Sequence, residues 1–557
     1  MDNLDTNTRT GLSDDELSQV LTSKLPASWA LNGWHFVAAV GVALFFMYHN
    51  YLHLFHSDIW GHVAYGEWIL QHRQLPTEEP FVPLASGVPV IATAWLGQTI
   101  LALAVRAGNH EWLSHLFAIT VWVTYIVLAR AYWFRNRHAA AALIGAFGAW
   151  MVAWGRHSII RPEIFGLLCF AMLLWLLARR GELVRQQDQE STPPSRLWTH
   201  AGIGILFVAW ANLHGSAIVG VALLACYLAG RSVEVLWCER QFAALWQDAD
   251  WQFWLTATQV SVLGMCCNPY GIDLLIHTLI FPNHPNLKDI IEWYPLKMVS
   301  VEGITVGASW VLLVVLLRHS RAAVSVGDVF ALALFAVAIS VRVRMVAWYA
   351  PVVMWVLAPH LGDVLARCEF DRFRRELFPM LQLRSFRWTA VIGLLAWVTL
   401  CFSPVSRVFM GGEARPERLL YSKDTPLGVT KYLREHPPRG LVCGPQWWGD
   451  WLVWQGPPQL QVMITTNSVH LVPSRVWKDY LSINNAQPAT DRLLDQYRVN
   501  TLVVCKKLQK GLVEKLARMP AWETVFDDDV GIVAVRKRAM KPADEHDDQG
   551  EQTLTLR

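Results

Sequence analysis

Two carboxylates at the edges of apolar runs are the first candidates for chemistry. Asp58 stands in HSDIWGHVAYGEWILQHRQLPTEEPF, directly after the first long apolar segment, and Glu163 stands in the short polar turn GRHSIIRPE. Each marks the border of a segment apolar enough for a membrane, so each is expected at a membrane surface. Two acids carried by separate turns on one face can hold a divalent cation, Mg or Mn. Alternatively, one takes a proton while the other orients it. A plainer role for Glu163 is to stabilise a helix N-terminus, because it follows Pro162 and a first turn favours a carboxylate.

Other polar residues fall on the same side. His62 and Glu67 belong to an amphipathic stretch with Ile59, Val63, Trp68, Ile69 and Leu70, which reads as a helix lying along the bilayer surface. Both are candidates to contact a lipid headgroup. His214, in the turn NLHGS, faces that side too, although a lone turn histidine also serves as a structural residue. Asp289 and Glu292 in LKDIIEWYP share a helix face by their i, i+3 spacing and are either substrate contacts or a solvated rim. Arg342 and Arg344 in SVRVRM lie at the outer end of an apolar run, against the usual preference of arginine for the inner face. There they suit an anion such as a lipid phosphate, or snorkel to the interface.

The elements that position these residues follow from composition. The chain has 557 residues, 53% of them hydrophobic and 17% charged, against roughly 25% charged in soluble domains. Its apolar residues come in long runs, which predicts a helical polytopic membrane protein. The 29 tryptophans gather near the ends of those runs, where indole prefers the interface. A net charge of +3 without a basic stripe gives no sign of nucleic-acid binding. The nine cysteines are scattered with no zinc or disulfide spacing.

We read about eleven spans, the first over residues 31–55 and the last over 388–402. The stretch WLGQTILALAVRAG from Trp95 is too short to cross and reads as a second surface helix on the Asp58 side. With the N-terminus inside, Arg130, Arg135, Arg137, the arginines from Arg179 to Arg196, Arg240, Arg318, Arg321 and those from Arg367 to Arg387 fall on inner loops. Asp58, Glu78, Glu79, Glu163, Asp289 and Glu292 then fall outside. The expected division is a cytoplasmic polar segment at 1–28, a transmembrane domain at 29–403 with a first outer loop at 56–111, an extracytoplasmic domain at 404–538, and a disordered charged tail at 539–557. The outer domain alternates helix-like stretches (LGVTKYLREH, PATDRLLDQYRV) with short β-type runs (GLVCG, LQVMI, NTLVVC, GIVAVRK), which predicts a small α/β fold. Its WWGDW string either stacks on sugar rings or packs the domain core.

The arrangement resembles the GT-C class of membrane glycosyltransferases, such as aminoarabinose transferases, protein mannosyltransferases and oligosaccharyltransferases, which use polyprenyl-phosphate-linked sugars. The resemblance rests on an acid at the start of a large first outer loop (Asp58 in HSDIWGHVAYGEWIL), two surface helices in that loop (59–72 and 95–105), and a second acid in the following outer turn (Glu163 in RPEIF). The strings SDIWGHVAYGEWIL, WANLHGS, NPYG, IIEWYP and GDWLVW are also similar to bacterial proteins in which a GT-C-like membrane half precedes a small outer domain. No DxD is present.

The resemblance implies a bacterial inner-membrane enzyme that moves a sugar from a polyprenyl-phosphate donor to a lipid or glycan acceptor. Asp58 would be the base or metal ligand, Glu163 its assistant, Arg342 and Arg344 the phosphate contacts, and the groove beside residues 95–105 the seat of the prenyl chain. Two other classes stay open. A non-catalytic scaffold for polysaccharide assembly or export needs no acid pair, and a transporter would show internal repeats, of which none is visible.

Overall fold

The structure is a computed structural model that describes residues 26–157, 159–187 and 196–537. The predicted N-terminal segment up to residue 25 and the predicted tail from 539 lie outside the described residues.

Each apolar run of the sequence forms a helix. The first is Gly33–Asn50, capped by Asn32, whose side chain accepts from the His35 N–H. Glu111–Asn136, Ala139–Val152 and Glu163–Gln187 follow and pack together, with Val346–Arg367 against the first two. Val346–Arg367 is the most enclosed of them, with Val346 to Ala358 buried almost without interruption. It carries Pro351 and Pro359 inside the helix. The carbonyl of Pro351 accepts from the Tyr132 hydroxyl at 3.0 Å.

Among the described residues, five helices are long and apolar enough to cross a membrane: those within residues 111–136, 163–185, 217–239, 301–319 and 343–367. Leu44, Ile205, Val311 and Leu394 are among the large apolar side chains left exposed on helix surfaces, as expected where hydrocarbon is the solvent. The molecule is a multi-pass helical membrane protein.

Two further helices lie between the first and second long ones. Ile59–His72 and Trp95–Ala107 pack face to face. A Cβ at Gly66 would overlap the carbonyl oxygen of Gln98, so glycine is what lets the two backbones approach. At 13 residues, Trp95–Ala107 is about 20 Å long, short of a bilayer crossing. Glu67 and Arg106 join the outer faces of the pair, with Arg106 Nε donating to Oε2 at 2.8 Å and Nη2 to Oε1 at 2.6 Å.

The C-terminal part holds a five-stranded sheet in the order β2-β1-β3-β5-β4, built from β1 Leu441–Cys443, β2 Gln461–Val462, β3 Val499–Cys505, β4 Trp522–Asp527 and β5 Gly531–Arg536. β1 runs parallel to both β2 and β3, while β5 lies antiparallel between β3 and β4. Every residue of β1 is buried, as in a strand covered on both faces. β4 alternates less cleanly and shows no continuous apolar run, which is why the sequence did not announce it. The WWGDW string forms the helix Gln446–Gln455 with Trp448 and Trp451 buried, so those rings are core and not an open stacking surface.

This domain sits on the end of the bundle that carries Asp58. The Leu54 N–H donates to the Leu420 carbonyl at 2.8 Å and the Ser422 N–H to the Leu54 carbonyl at 2.9 Å. Glu111, at the start of its helix, pairs with the buried Arg415 at 2.5 Å. Trp60 and Trp451 meet edge to face at 4.9 Å between ring centroids.

Candidate active site

Asp58 is the residue before the helix Ile59–His72 begins, a position where an aspartate ordinarily accepts from a first-turn N–H. Here its side chain makes no such cap. It turns instead toward Arg161, with Oδ1 3.3 Å from Nε. The contact is ionic and lacks hydrogen-bond alignment, since both atoms are buried without a hydrogen-bond partner.

From there the charges form a chain. Arg161 Nη1 donates to Glu292 Oε1. The same oxygen lies 3.2 Å from Arg156 Nη1. Arg156 in turn binds Glu163 through Nε, at 3.2 Å, and Nη2. Asp58 and Glu163 thus belong to one cluster, joined through two arginines and Glu292. The elements that build it are the edge of the first outer loop, the turn around residues 155–163 and the short 3-10 turn Ile291–Trp293.

Burial alone would raise Glu292, and the guanidinium groups of Arg156, Arg161 and Arg344 outweigh it, holding the carboxyl at about 2. It is therefore an anion throughout the physiological range.

A cavity of about 260 Å³ opens beside the cluster, lined among others by Arg156, Arg161, Lys297 and Arg344, with Glu292 and Glu302 as its acids. Arg344 lies over the Trp293 ring at 4.4 Å from the centroid. Among the described residues, Arg344 and Lys297 have no carboxylate within ion-pair distance, unlike Arg156 and Arg161. The cavity therefore holds two cations available to an anion.

The remaining candidates divide. His62 is one turn beyond Asp58 and contacts Gln98 Nε2 at 3.0 Å. Burial lowers its pKa, with Asp58 pulling the other way, so the ring is neutral. His214 contacts the Ser216 hydroxyl at 2.8 Å. Burial brings it down to about 4 although Glu163 opposes the shift. It therefore stands beside the cluster as a neutral ring.

Glu67 is nine residues from Asp58, about 13 Å along the helix, and is taken up by Arg106. Asp289 accepts from Trp477 Nε1 at 2.9 Å and so ties the 285–293 turns to the C-terminal domain. Arg342 donates to the Pro282 carbonyl at 2.8 Å and reaches Asn283 Oδ1 at 3.2 Å. It stacks on the Trp293 ring at 5.2 Å and does not line the cavity. The structure thus gathers Asp58, Glu163, Glu292 and Arg344 with His62 and His214 at the margin, and sets Glu67, Asp289 and Arg342 apart.

A divalent cation between Asp58 and Glu163 does not fit this arrangement, because guanidinium groups already occupy the space that would join the two acids. Among the described residues, no group of three His, Cys, Asp or Glu side chains is disposed to hold a metal ion. Sequence reasoning passed over Arg156, Arg161 and Lys297. The first two had a usable signal, since they stand in the same outer turn as Glu163 and break the positive-inside preference just as Arg342 and Arg344 do.

Comparison with solved structures places this architecture. The chain superposes on an Archaeoglobus fulgidus oligosaccharyltransferase tethered to an acceptor peptide containing the NVT sequon. That match has a TM-score of 0.53 and 12% identity, over 87% of this chain and 72% of that one. It also superposes on ArnT from Cupriavidus metallidurans in the apo state, with a TM-score of 0.50 and 14% identity, over 90% of this chain and 97% of that one. The chain has the GT-C-like fold. No family model and no curated protein matches the sequence. At these identities the fold is shared and the site residues have to be argued from their own geometry.

Proposed function

We propose that the protein is a GT-C-type glycosyltransferase that moves a sugar from a polyprenyl-phosphate donor to a hydroxyl of a lipid or glycan acceptor, on the outer face of a bacterial inner membrane. About eleven helices would cross, with the N-terminus cytoplasmic and the C-terminal α/β domain outside. The observation that carries the reading is the cavity itself: two unpaired cations, Arg344 and Lys297, in a space whose rim includes the Arg161 that holds Asp58.

In this reading the bond between the sugar C1 and the phosphate oxygen breaks as the acceptor oxygen bonds to C1. The phosphate leaves with the electron pair, and Arg344, Lys297 and the cavity-facing sides of Arg156 and Arg161 stabilise the charge it gains. The acceptor hydroxyl gives its proton to Asp58, whose carboxylate makes no cap and lies against Arg161 at the rim of the cavity. Glu163 and Glu292 keep the two arginines in place without competing for the proton. In this reading the fixed guanidinium groups supply positive charge to the leaving phosphate. Sources of the donor's phosphate charge, whether one phosphate or two, fit the same lining.

The test is Asp58→Asn in a membrane transfer assay with a radiolabelled prenyl-phosphate sugar. The side chain keeps its size and loses its basicity, so transfer is expected to fall about 100- to 10,000-fold, with the amount of folded protein unchanged. Wild-type activity in that variant removes Asp58 from the mechanism. A scaffold for polysaccharide assembly would retain its function in the same variant.

A further inference from the structure

The C-terminal domain reaches the start of the Asp58 helix through one small set of polar contacts. Asp450, on the helix Gln446–Gln455, is 1% exposed. Its carboxylate accepts from the Thr466 N–H at 2.8 Å and from Asn467 Nδ2 at 2.8 Å. The same Asn467 amide donates to the backbone carbonyl of Asp58 at 3.3 Å. That carbonyl already accepts the first helical bond, from the His62 N–H at 3.0 Å.

Gly61 lies under the pair. A Cβ there would overlap both Asp450 Oδ1 and Asn467 Nδ2, so glycine is what lets the domain come this close.

A buried acid side chain is a costly way to make a purely structural joint. Burial first, and then the charge of Asp58, push Asp450 up to about 8. Against that, the N-terminal end of a helix favours an anion beside it. An apolar contact would dock the two surfaces at less cost. What only this arrangement provides is a fixed amide donor on the carbonyl of the residue whose side chain meets Arg161.

We propose that Asn467 and Asp450 are positioning residues for Asp58. Asp450 orients the Asn467 amide, Asn467 holds the Asp58 backbone, and the Asp58 carboxylate is thereby kept off its own helix and against Arg161, which lines the cavity. The C-terminal domain is then part of the active site and not an accessory to it. This rests on the reading of Asp58 as proton acceptor, and the experiment separates the two.

The full-length protein in lipid nanodiscs carries Asn467→Ala, Gly61→Ala, Asn467→Asp or the exchange pair Asp450→Asn with Asn467→Asp. Hydrogen exchange at the amides of residues 60–63 reports docking without reference to activity. Single-turnover transfer reports the chemistry. Asn467→Ala and Gly61→Ala are expected to speed exchange in that first turn and to lower kcat about 10- to 100-fold, with KM for the donor little changed.

The exchange pair restores the bond between 450 and 467, but it faces the Asp58 carbonyl with a carboxylate. Folded yield should recover relative to Asn467→Asp alone while kcat stays low. Full kcat in the exchange pair, or in Asn467→Ala with its first turn loosened, overturns the proposal. If the wild type transfers no sugar, the parent reading falls by itself. Unchanged exchange in Gly61→Ala and Asn467→Ala then overturns the docking contact as well.

Discussion

Two of the buried arginine–carboxylate clusters in the molecule, the Arg135–Asp328 pair and the Asp58–Glu163 network, contrast with each other. In the first, Arg135 binds Asp328 with both oxygens of the carboxylate, at 2.6 and 2.7 Å. Tyr227 donates to that carboxylate at 2.5 Å, Trp355 Nε1 donates to the Tyr227 hydroxyl at 2.7 Å, and Arg135 Nε reaches the Trp355 carbonyl at 2.9 Å. No atom of these four residues is buried without a partner. In the second, Asp58 Oδ1 and Arg161 Nε meet without a hydrogen bond, two cations lack carboxylates within ion-pair distance, and a cavity stands open beside them. The same chemical groups make a closed knot in one place and an unfinished network in the other. A satisfied polar network rigidifies a fold. An unsatisfied one with room for a ligand is what binding would complete.

The comparison is sharpest where its two ends respond differently to loss of one partner. Asp328→Ala leaves Arg135 buried without its carboxylate, which costs about 3–5 kcal/mol. The expected outcome is a large drop in the yield and melting temperature of detergent-solubilised protein. Arg344→Gln removes a cation that has no carboxylate within ion-pair distance, so melting should fall less than in Asp328→Ala. Transfer should instead fall about 100-fold or more, by analogy with losing one transition-state donor. If Arg344→Gln proves as destabilising as Asp328→Ala, the outer cluster is structural and the contrast fails.

The sequence made part of this difference legible. Asp58, Glu163, Glu292 and Arg344 were each singled out by position, because an acid or an arginine at the outer end of an apolar run is visible in one dimension. The helices were visible too, through long apolar runs whose ends carry charge or tryptophan. The partnership was not, since Arg161 joins Asp58 to Glu292 across more than a hundred residues of chain on either side. Positional reasoning also treated Arg342 and Arg344 alike. Two residues apart, at the cap and inside the 3-10 turn Val343–Met345, they diverge, and Arg342 spends its donors on Pro282 and Asn283. The linking of two acids through arginines and Glu292 has no one-dimensional signature. Neither has the docking of Asp450 at Gly61, although both residues stand in strings that attracted notice for other reasons.

Acidification probes the outer network without mutation. Glu292 is held at about 2, against 4.5 for an ordinary glutamate. A carboxyl with a depressed folded-state value contributes stability that is fully present above its unfolded value and lost as pH falls toward the folded one. The window is therefore about pH 4.5 down to about 2, and the contribution is at most about 3 kcal/mol. The melting temperature of the wild type should decline through that window, and Glu292→Gln should lack this part of the decline. An equal decline in both proteins would show that the arginines do not hold Glu292 as the geometry indicates.

The smallest effect is expected where the sequence reading and the structure part. Arg342→Gln removes an interfacial guanidinium that binds a carbonyl and an amide and stacks on Trp293. Exposed contacts of this kind contribute about 1 kcal/mol or less, so transfer should stay within about fivefold of wild type. Trp293 also carries Arg344, and loss of one guanidinium from the shared ring shifts the other only slightly. Measured side by side in the same membranes, the two substitutions should therefore differ by more than tenfold in transfer rate. Equal losses would mean that phosphate reaches Arg342 as well, and that the binding region extends past the cavity to the Pro282 turn.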